Sequence, residues 1–532
     1  MLRKMTALFL CAALALTLGA CSGPKEAVPK AAGGAFSEKY EYSMNTVDID
    51  YAAKGYDGET AANFQWFCEK FNISFTFWPM SWSDWVEKTR IWTYSGDMPD
   101  ILFLDIAPAR FSEYAAAARQ GAYKALPEFG TKYPNLATYK DSLMSTKYLS
   151  IDGTLYTLPK SREGQKTKDA GLWAYIYRRD WAEKLGLASE DDVYDWDEWL
   201  ALIKAFVEQD PGGNGAGRTA GVGAQRWTLP KYMGGECINP YFLTFAKVDG
   251  RYVWGPTMPE SLELVKTFKQ MYDEGLLWRG MLEGRDADAS NLYYSGLLGV
   301  LPSNMTVAGL DNFRYNFSLE NQDVADVKKA TALAVVRSAD GGINTLQTED
   351  FWSSFSFNAN MDDAKLERIL TAYDWLASEE GRKFMKYGIP GVDWVERDGE
   401  VVIQWKPNGD GTYAYPYPTL GETWMPVALK DAFNLQSPAF PEATQNEIKA
   451  LQDRRLGEGS RLIPFDYDSI YFTGPEYSKA GTMEDAIVDK LCDLLLTSSD
   501  IEADWKAWLI KMEPKYKPVE DELNSLLGTA QK

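Results

Sequence analysis

Apolar and polar positions along this chain repeat with two periods, one near two and one near 3.6. Tyr40 to Asp50, with Val47 and Ile49, reads as a strand, and Thr60 to Phe71 as a helix with Phe64, Phe67, Cys68 and Phe71 at helical spacing. Phe75 to Trp78 forms a second strand. Ser81 or Ser83 then caps a helix running to about Tyr94, in which Trp82, Trp85, Val86, Thr89 and Trp92 share one face. Ile101 to Leu104 is a third strand. Strands and helices alternating at this spacing predict an α/β fold, with a mainly parallel sheet wrapped by helices.

Further on, Asp152-Gly153 is a tight-turn dipeptide before the apolar run Leu155 to Leu158, and Pro159, lacking an N–H, is expected to end that strand. Leu172 to Tyr177 is rich in aromatic and branched residues and reads as the next strand. A helix follows, with Asp180 at the N-cap position and Gly186 at its stop. Helices are also expected over Asp195 to Val207, Glu260 to Gly275 and Asp362 to Ala377. Leu297 to Leu301 reads as a strand aimed at Pro302-Ser-Asn304, and Val395 to Trp405, split by Asp398-Gly399, as a hairpin. Thr482 with Asp485 marks the capped start of a late helix, and Trp505, Trp508, Leu509 and Met512 a last one docked on the body.

The crossing pair at Asp152 to Lys160 and Leu172 to Leu187 resembles the segment by which a bacterial extracellular solute-binding protein, of the ABC-importer sugar-binding type, passes from its first lobe to its second. Ser95-Gly-Asp-Met-Pro-Asp-Ile101, Asp374-Trp-Leu-Ala-Ser-Glu-Glu-Gly-Arg382 and Tyr387-Gly-Ile-Pro-Gly-Val-Asp-Trp394 fit the same family in order and spacing. The match covers most of the chain from about residue 40 and is nearest the long lipoprotein branch that binds oligosaccharides. It implies a two-lobed, periplasmic-binding-protein-like (type II) fold, each lobe a mainly parallel sheet flanked by helices, joined by a hinge. Lobe 1 is expected at 40–165 and 328–390, lobe 2 at 166–327 and 391–532. The resemblance also implies capture of a carbohydrate, delivery to ABC permease subunits, and no catalysis.

The first residues add a location. Arg3 and Lys4 precede an apolar run, Ala7 to Leu18, that is too short for a stable bilayer span and has the layout of an export signal over 1–20. Leu18-Gly-Ala-Cys21 resembles a lipoprotein lipobox, which implies a lipid on Cys21 and anchoring on the extracytoplasmic face of the cell membrane. Residues 21–39, with Pro24, Pro29, Gly33 and Gly34, read as a flexible tether with a reach of roughly 20 to 25 Å.

Composition then narrows the chemistry. The net charge of −21 becomes −23 once Arg3 and Lys4 leave, with 53 basic against 76 acidic residues, so nucleic acid is excluded as a partner. There is no histidine, which removes Ser-His-Asp and Cys-His catalysis and His-ligated zinc. Beyond Cys21, the three cysteines of the body form no disulfide framework and read as small buried hydrophobes. The chain is expected to be a monomer without cofactor. Asp210, Asn214 and Gly215 match positions one, five and six of a calcium loop, but Gly212 and Gly221 stand where oxygen ligands belong, so the loop reads as a plain Gly-rich turn.

Aromatic residues make up 14% of the chain, which suits stacking on pyranose faces. Open parallel sheets bind ligands outside the carboxyl ends of their strands. That rule selects Trp82 after the second strand, Asp105 and Arg110 after the third, and Arg162 and Trp173 flanking the crossing. It also selects Arg226 and Trp227 in a loop of the second lobe, Asn304 after the strand at Leu301, Trp352 where the chain re-enters the first lobe, and, less directly, Tyr415 and Trp424. The competing readings are a peptide, a polyol or a uronate-bearing saccharide meeting Arg110, Arg162 or Arg226, and a carboxylate-based glycoside hydrolase. No local signature singles out a carboxylate pair.

Overall fold

The computed structural model describes residues 36–47, 60–81, 84–106, 110–161, 173–224, 226–283, 286–347, 350–409, 411–414, 416–417, 437–479 and 483–529. Along the first stretch, strand β1 (Tyr40–Val47), helix α1 (Ala62–Phe71), strand β2 (Ile73–Met80), helix α2 (Trp85–Ser95) and strand β3 (Ile101–Leu104) alternate as their periodicity predicts. Helix α1 buries Phe64, Trp66, Phe67 and Phe71 and ends at Asn72 in the left-handed region, whose N–H returns to the Cys68 and Glu69 carbonyls. β1 pairs in parallel with β2 and β3.

Helix α3 (Phe111–Arg119) leads towards strand β4 (Thr157–Ser161). The strand does not stop at Pro159, which pairs with Ser354. β4 is the outermost strand of its sheet, so a missing N–H leaves no gap in a ladder on its far side. The Pro159 carbonyl accepts the Tyr139 hydroxyl at 2.6 Å.

Strand β5 (Trp173–Tyr177) then opens a second sheet, followed by helix α4 (Arg179–Leu185) and strand β6 (Val193–Tyr194). Asp180 is not the N-cap of α4. That position is Arg178, and Asp180 in the first turn takes its guanidinium at 2.8 and 2.5 Å. Helix α5 (Trp196–Gln209) starts at a complete capping box, with Asp195 and Glu198 satisfying each other's backbone N–H groups. Strand β7 (Ala220–Val222), the hairpin β8 (Phe245–Val248) and β9 (Arg251–Trp254), helix α6 (Pro259–Asp273) and strand β10 (Leu298–Asn304) continue the second lobe. β10 runs past Leu301, so Asn304 lies within it, in register opposite Trp173.

Strand β11 (Ala332–Val336) pairs with β5 and β6 in the second sheet. The return to the first lobe therefore comes after residue 336 rather than at 328. It runs through the short strand β12 (Ile343–Leu346) into β13 (Phe351–Phe357), which joins β3 and β4. The first sheet has the order β2-β1-β3-β13-β4 and the second β6-β11-β5-β10-β7. In each sheet one strand runs against the others, and it is the one that arrives from the other lobe: β13 in the first, β5 in the second.

Both sheets are covered on two faces, as their continuous apolar strands require. In β3, Ile101 and Phe103 enter one core while Leu102 and Leu104 enter another. In β11, Ala332, Ala334 and Val336 face one core and Leu333 and Val335 the opposite one.

The tail, expected wholly in lobe 2 from 391, is shared between the lobes. The hairpin β14 (Trp394–Arg397) and β15 (Glu400–Ile403) turns on Asp398 and Gly399, with φ of 54° and 83°. It stays with the first lobe, where Tyr417 reaches Asp393 at 2.7 Å. Helix α7 (Glu442–Arg455) packs Ile448 and Leu451 on the second. Strand β16 (Ser460–Ile463) pairs in parallel with β12. Helix α8 (Tyr467–Ile470) brings Tyr467 and Tyr471 back into a first-lobe core, and helices α9 (Met483–Thr497) and α10 (Ile501–Thr529) close the second. Spacing told which residues share a helix face, but not which of two cores that face would meet. Thr482, and so the expected capping pair with Asp485, lies outside the described residues. No helix among the described residues is long and apolar enough to cross a membrane.

Candidate functional site: a cleft between two sheet edges

The reversed strands explain where the site lies. β1 to β4 all end at one edge of the first sheet, and β13 starts there. β6, β7, β10 and β11 end at one edge of the second sheet, and β5 starts there. Because β4 leads to β5 and β12 to β13, the two edges are turned towards each other, and the carboxyl ends of both sheets converge on the hinge.

A cavity of about 430 Å³ opens at this junction, in the roughly 300–1,000 Å³ range of small-molecule sites. From the first lobe it is lined by Arg110 and Ser112 at the start of α3 and by Phe465, Asp466 and Ile470. The β12–β16 pair contributes Leu346, Gln347, Ile463 and Pro464. The second lobe supplies the rest, chiefly Trp227, Lys231, Tyr232, Asn239, Tyr241, Phe242, Tyr477, Glu484 and Asp485. A smaller hollow of about 40 Å³ beside Asp105 and Arg110 lies wholly in the first lobe and has room for only about three waters.

Of the residues the sequence singled out, Arg110 and Trp227 line the cavity together. Asp105 holds the Arg110 guanidinium at 2.5 Å, so it acts on the cleft through Arg110. Arg226 is ion-paired with Asp489 of α9. Trp173 stacks on Tyr232, with ring centroids 4.3 Å apart and planes 18° from parallel, and so backs the lining rather than forming it. Trp352 stands at the first-lobe edge but is packed edge-on against Phe103 at 5.6 Å and Trp85 at 6.3 Å, with the Lys160 ammonium 5.2 Å from its ring. It is not part of the cavity wall. Trp82, Arg162, Tyr415, Trp424 and Cys21 lie outside the described residues, and Asn304 is placed only by its register opposite Trp173.

Beneath the Trp173–Tyr232 stack is a buried ion pair that sequence reasoning missed. Arg455, at the end of α7, binds Glu236, and the two residues are 4% and 6% exposed. The Tyr175 hydroxyl donates to Glu236 Oε2 at 3.0 Å, and Arg455 Nη1 donates to the Trp173 carbonyl at 2.5 Å. Asn344 Nδ2 reaches the Glu236 carbonyl at 2.9 Å, and Thr345 Oγ1 the Arg455 carbonyl at 2.9 Å. Burial pushes the Glu236 carboxyl up, while the Arg455 guanidinium and the Tyr175 hydroxyl pull it back. The network joins the start of β5, the segment carrying Tyr232 and the hinge strand β12, so the aromatic wall is fixed relative to the hinge.

The far wall rests on a close approach. A Cβ at Gly255 would sit 1.7 Å from the Tyr241 carbonyl oxygen, so only glycine lets the Asn239 to Phe245 segment lie against the end of β9. These wall residues carried a weak signal: aromatic and Asn-Pro positions after Trp227, and the run Arg461 to Ile463 ended by Pro464.

The Asp210 loop is closed by its own atoms. The carboxylate accepts the Asn214 and Gly215 N–H groups at 3.0 and 2.7 Å and the Thr219 hydroxyl at 2.8 Å, and these bonds, Thr219 first, hold it below the usual carboxylate range.

Two lobes, carboxyl-terminal sheet edges converging on a hinge, and a cavity lined from both sides give the chain the two-lobed fold of the solute-binding proteins with which it superposes. The chain is 21% identical over 434 residues to the lipoprotein LipO of Bacillus subtilis (strain 168), covering 79% of each chain. It is 24% identical over 315 residues to the polygalacturonan/rhamnogalacturonan-binding protein YtcQ of the same strain, covering 56% of this chain and 57% of that one. A 145-residue stretch, 26% of each chain, is 30% identical to the fructooligosaccharide ABC transporter substrate-binding protein FusA of Streptococcus pneumoniae serotype 4 (strain ATCC BAA-334 / TIGR4). Among solved structures, the alginate-binding protein AlgQ2 without calcium ion superposes with a TM-score of 0.69 at 15% identity, over 94% of this chain and 100% of that one. The EF-hand mutant of S. pneumoniae FusA in complex with fructo-nystose gives a TM-score of 0.66 at 15% identity, over 93% and 99%. No family model matches the chain.

Proposed function

We propose that this chain captures an oligosaccharide between its lobes and delivers it, chemically unchanged, to the permease of an ABC importer. The observation that carries the reading is the aromatic cavity shared by both lobes at the hinge, in which Trp227, Tyr232 and Tyr241 offer ring faces and Arg110 and Asn239 offer hydrogen-bonding groups. A pyranose presents C–H groups on its faces and hydroxyls at its edge, and such walls match both. Closure follows from the same geometry: a ligand held by the second lobe gains the Arg110 side of the cavity when the lobes approach, and that added contact shifts the population towards the closed state. The leader and Cys21 support attachment of the chain by lipid to the extracytoplasmic face of the cell membrane, where it would act as a monomer.

Calorimetric titration of the purified chain against an oligosaccharide panel tests this reading. Saturable binding with recovery of intact sugar is the expected result, and release of shorter products would mark a hydrolase instead. Replacing Cys21 with Ser should free the protein from membranes; continued anchoring would dispose of the lipid assignment.

A further inference from the structure

The charge on the cavity walls bears on which class of saccharide fits, given the reading that the ligand is a saccharide at all. A uronate-binding cleft needs cations available to the sugar carboxylates. Here the two described arginines that sequence offered for that role are engaged within the chain, Arg110 by Asp105 and Arg226 by Asp489. Lys231 lines the cavity with its ammonium 5.9 Å from the Tyr232 ring.

Against these cations stand carboxylates on both sides of the cavity. Asp466 lines it from the segment whose neighbours Tyr467 and Tyr471 sit in a first-lobe core. Glu484 and Asp485 line it from the first turn of α9 in the second lobe. After burial, the charge of Asp466 is the next cause raising the Tyr241 and Tyr477 hydroxyls of the cavity wall, and its hydrogen bond with Tyr252 the next cause raising that hydroxyl.

We infer that the cavity takes an uncharged oligosaccharide and rejects polyuronates. Neutral sugar hydroxyls donate to Asp466, Glu484 and Asp485, and charge-assisted bonds of this kind are the strong ones. A uronate keeps its ring hydroxyls but puts an acceptor-only carboxylate where a neutral hexose has its C6 hydroxyl, and would set that charge against carboxylates on each lobe, in a recess where salt screens weakly. Closure would worsen the conflict, because it brings Asp466 towards Glu484 and Asp485.

The test is calorimetry on the full chain with two panels of matched length, neutral gluco-, manno-, xylo-, galacto- and fructo-oligosaccharides and oligogalacturonates, each at low and high salt. At least one neutral sugar should bind about tenfold or more tighter than any oligogalacturonate, with little change on adding salt. An oligogalacturonate that binds as well as the best neutral sugar overturns the inference and leaves saccharide capture standing. Silence from both panels by a folded protein removes the saccharide reading and this inference with it. In a second arm, the combined Asp466→Asn, Glu484→Gln and Asp485→Asn variant keeps an Asn cap for α8. It should bind neutral sugar less tightly and oligogalacturonate more tightly, by about tenfold at low salt. No gain for the uronate would mean that these carboxylates do not discriminate, which also overturns the inference.

Discussion

The two edges that face each other across the hinge are built differently. At the first-lobe edge the functional groups are held down: Arg110 is tied to Asp105, and Trp352 is wedged among Phe103 and Trp85. At the second-lobe edge the loop after β7 and the short helical turn before α9 raise an aromatic wall of Trp227, Tyr232, Tyr241, Phe242 and Tyr477. One edge is therefore an aromatic platform and the other a narrower rim. The ligand should dock on the second lobe and be completed by the first, so damage to each edge should look different in the laboratory.

The largest expected effect lies beneath the wall. Arg455→Met strands the buried Glu236 and should cost about 3–5 kcal/mol of stability, read by denaturant unfolding. Adding Glu236→Leu removes the stranded charge and should recover much of the loss. A single variant no less stable than the parent would break the idea that this pair fixes the wall to the hinge.

Next come two tryptophans that the comparison separates. Trp352→Ala should lower stability by about 2–3 kcal/mol, less than a fully buried ring because it is only partly buried, and leave sugar affinity nearly unchanged. Trp227→Ala should do the reverse, weakening binding by about 1–3 kcal/mol with a small change in melting temperature. Finding the two effects exchanged would move the platform to the first lobe. Gly255→Ala tests the same wall through its backbone: thermal stability should fall, because the new Cβ meets the Tyr241 carbonyl rather than a movable side chain.

The smallest effect concerns the hinge. Arg461 of β16 and the Ser338 hydroxyl hold the Asp340 carboxyl well below its ordinary value. A depressed folded-state value means that the contribution is present above the unfolded carboxylate range near pH 4 and is lost as pH falls through the folded one. The pair is largely exposed, so Asp340→Asn should remove less than about 1 kcal/mol, seen only as a shallower acid limb in a stability–pH profile.

Much of the architecture was legible from local pattern. The helical spacing of Asp195 to Val207, the Asp398-Gly399 turn and the apolar spacing of Asp362 to Ala377 each act within a few residues, so their outcome is written where they stand. The rule that ligands gather at carboxyl ends of strands pointed to Arg110 and Trp227. It also pointed to Trp352, because the rule places the backbone and says nothing of which neighbours a ring will meet. Tyr232, Asp466 and the Arg455–Glu236 pair could not be read, since Glu236 and Arg455 are 219 residues apart and meet only through folding.

The chain by itself determined its elements, its acidic charge and its lack of histidine chemistry, because these depend on composition and on neighbours along the backbone. Only the tertiary structure decided that the tail is divided between two cores, that Pro159 sits inside an edge strand, and that one lobe carries most of the aromatic wall. Those outcomes depend on which apolar face finds which partner. Many sequence-distant pairings compete for each face, and packing of the whole chain selects among them.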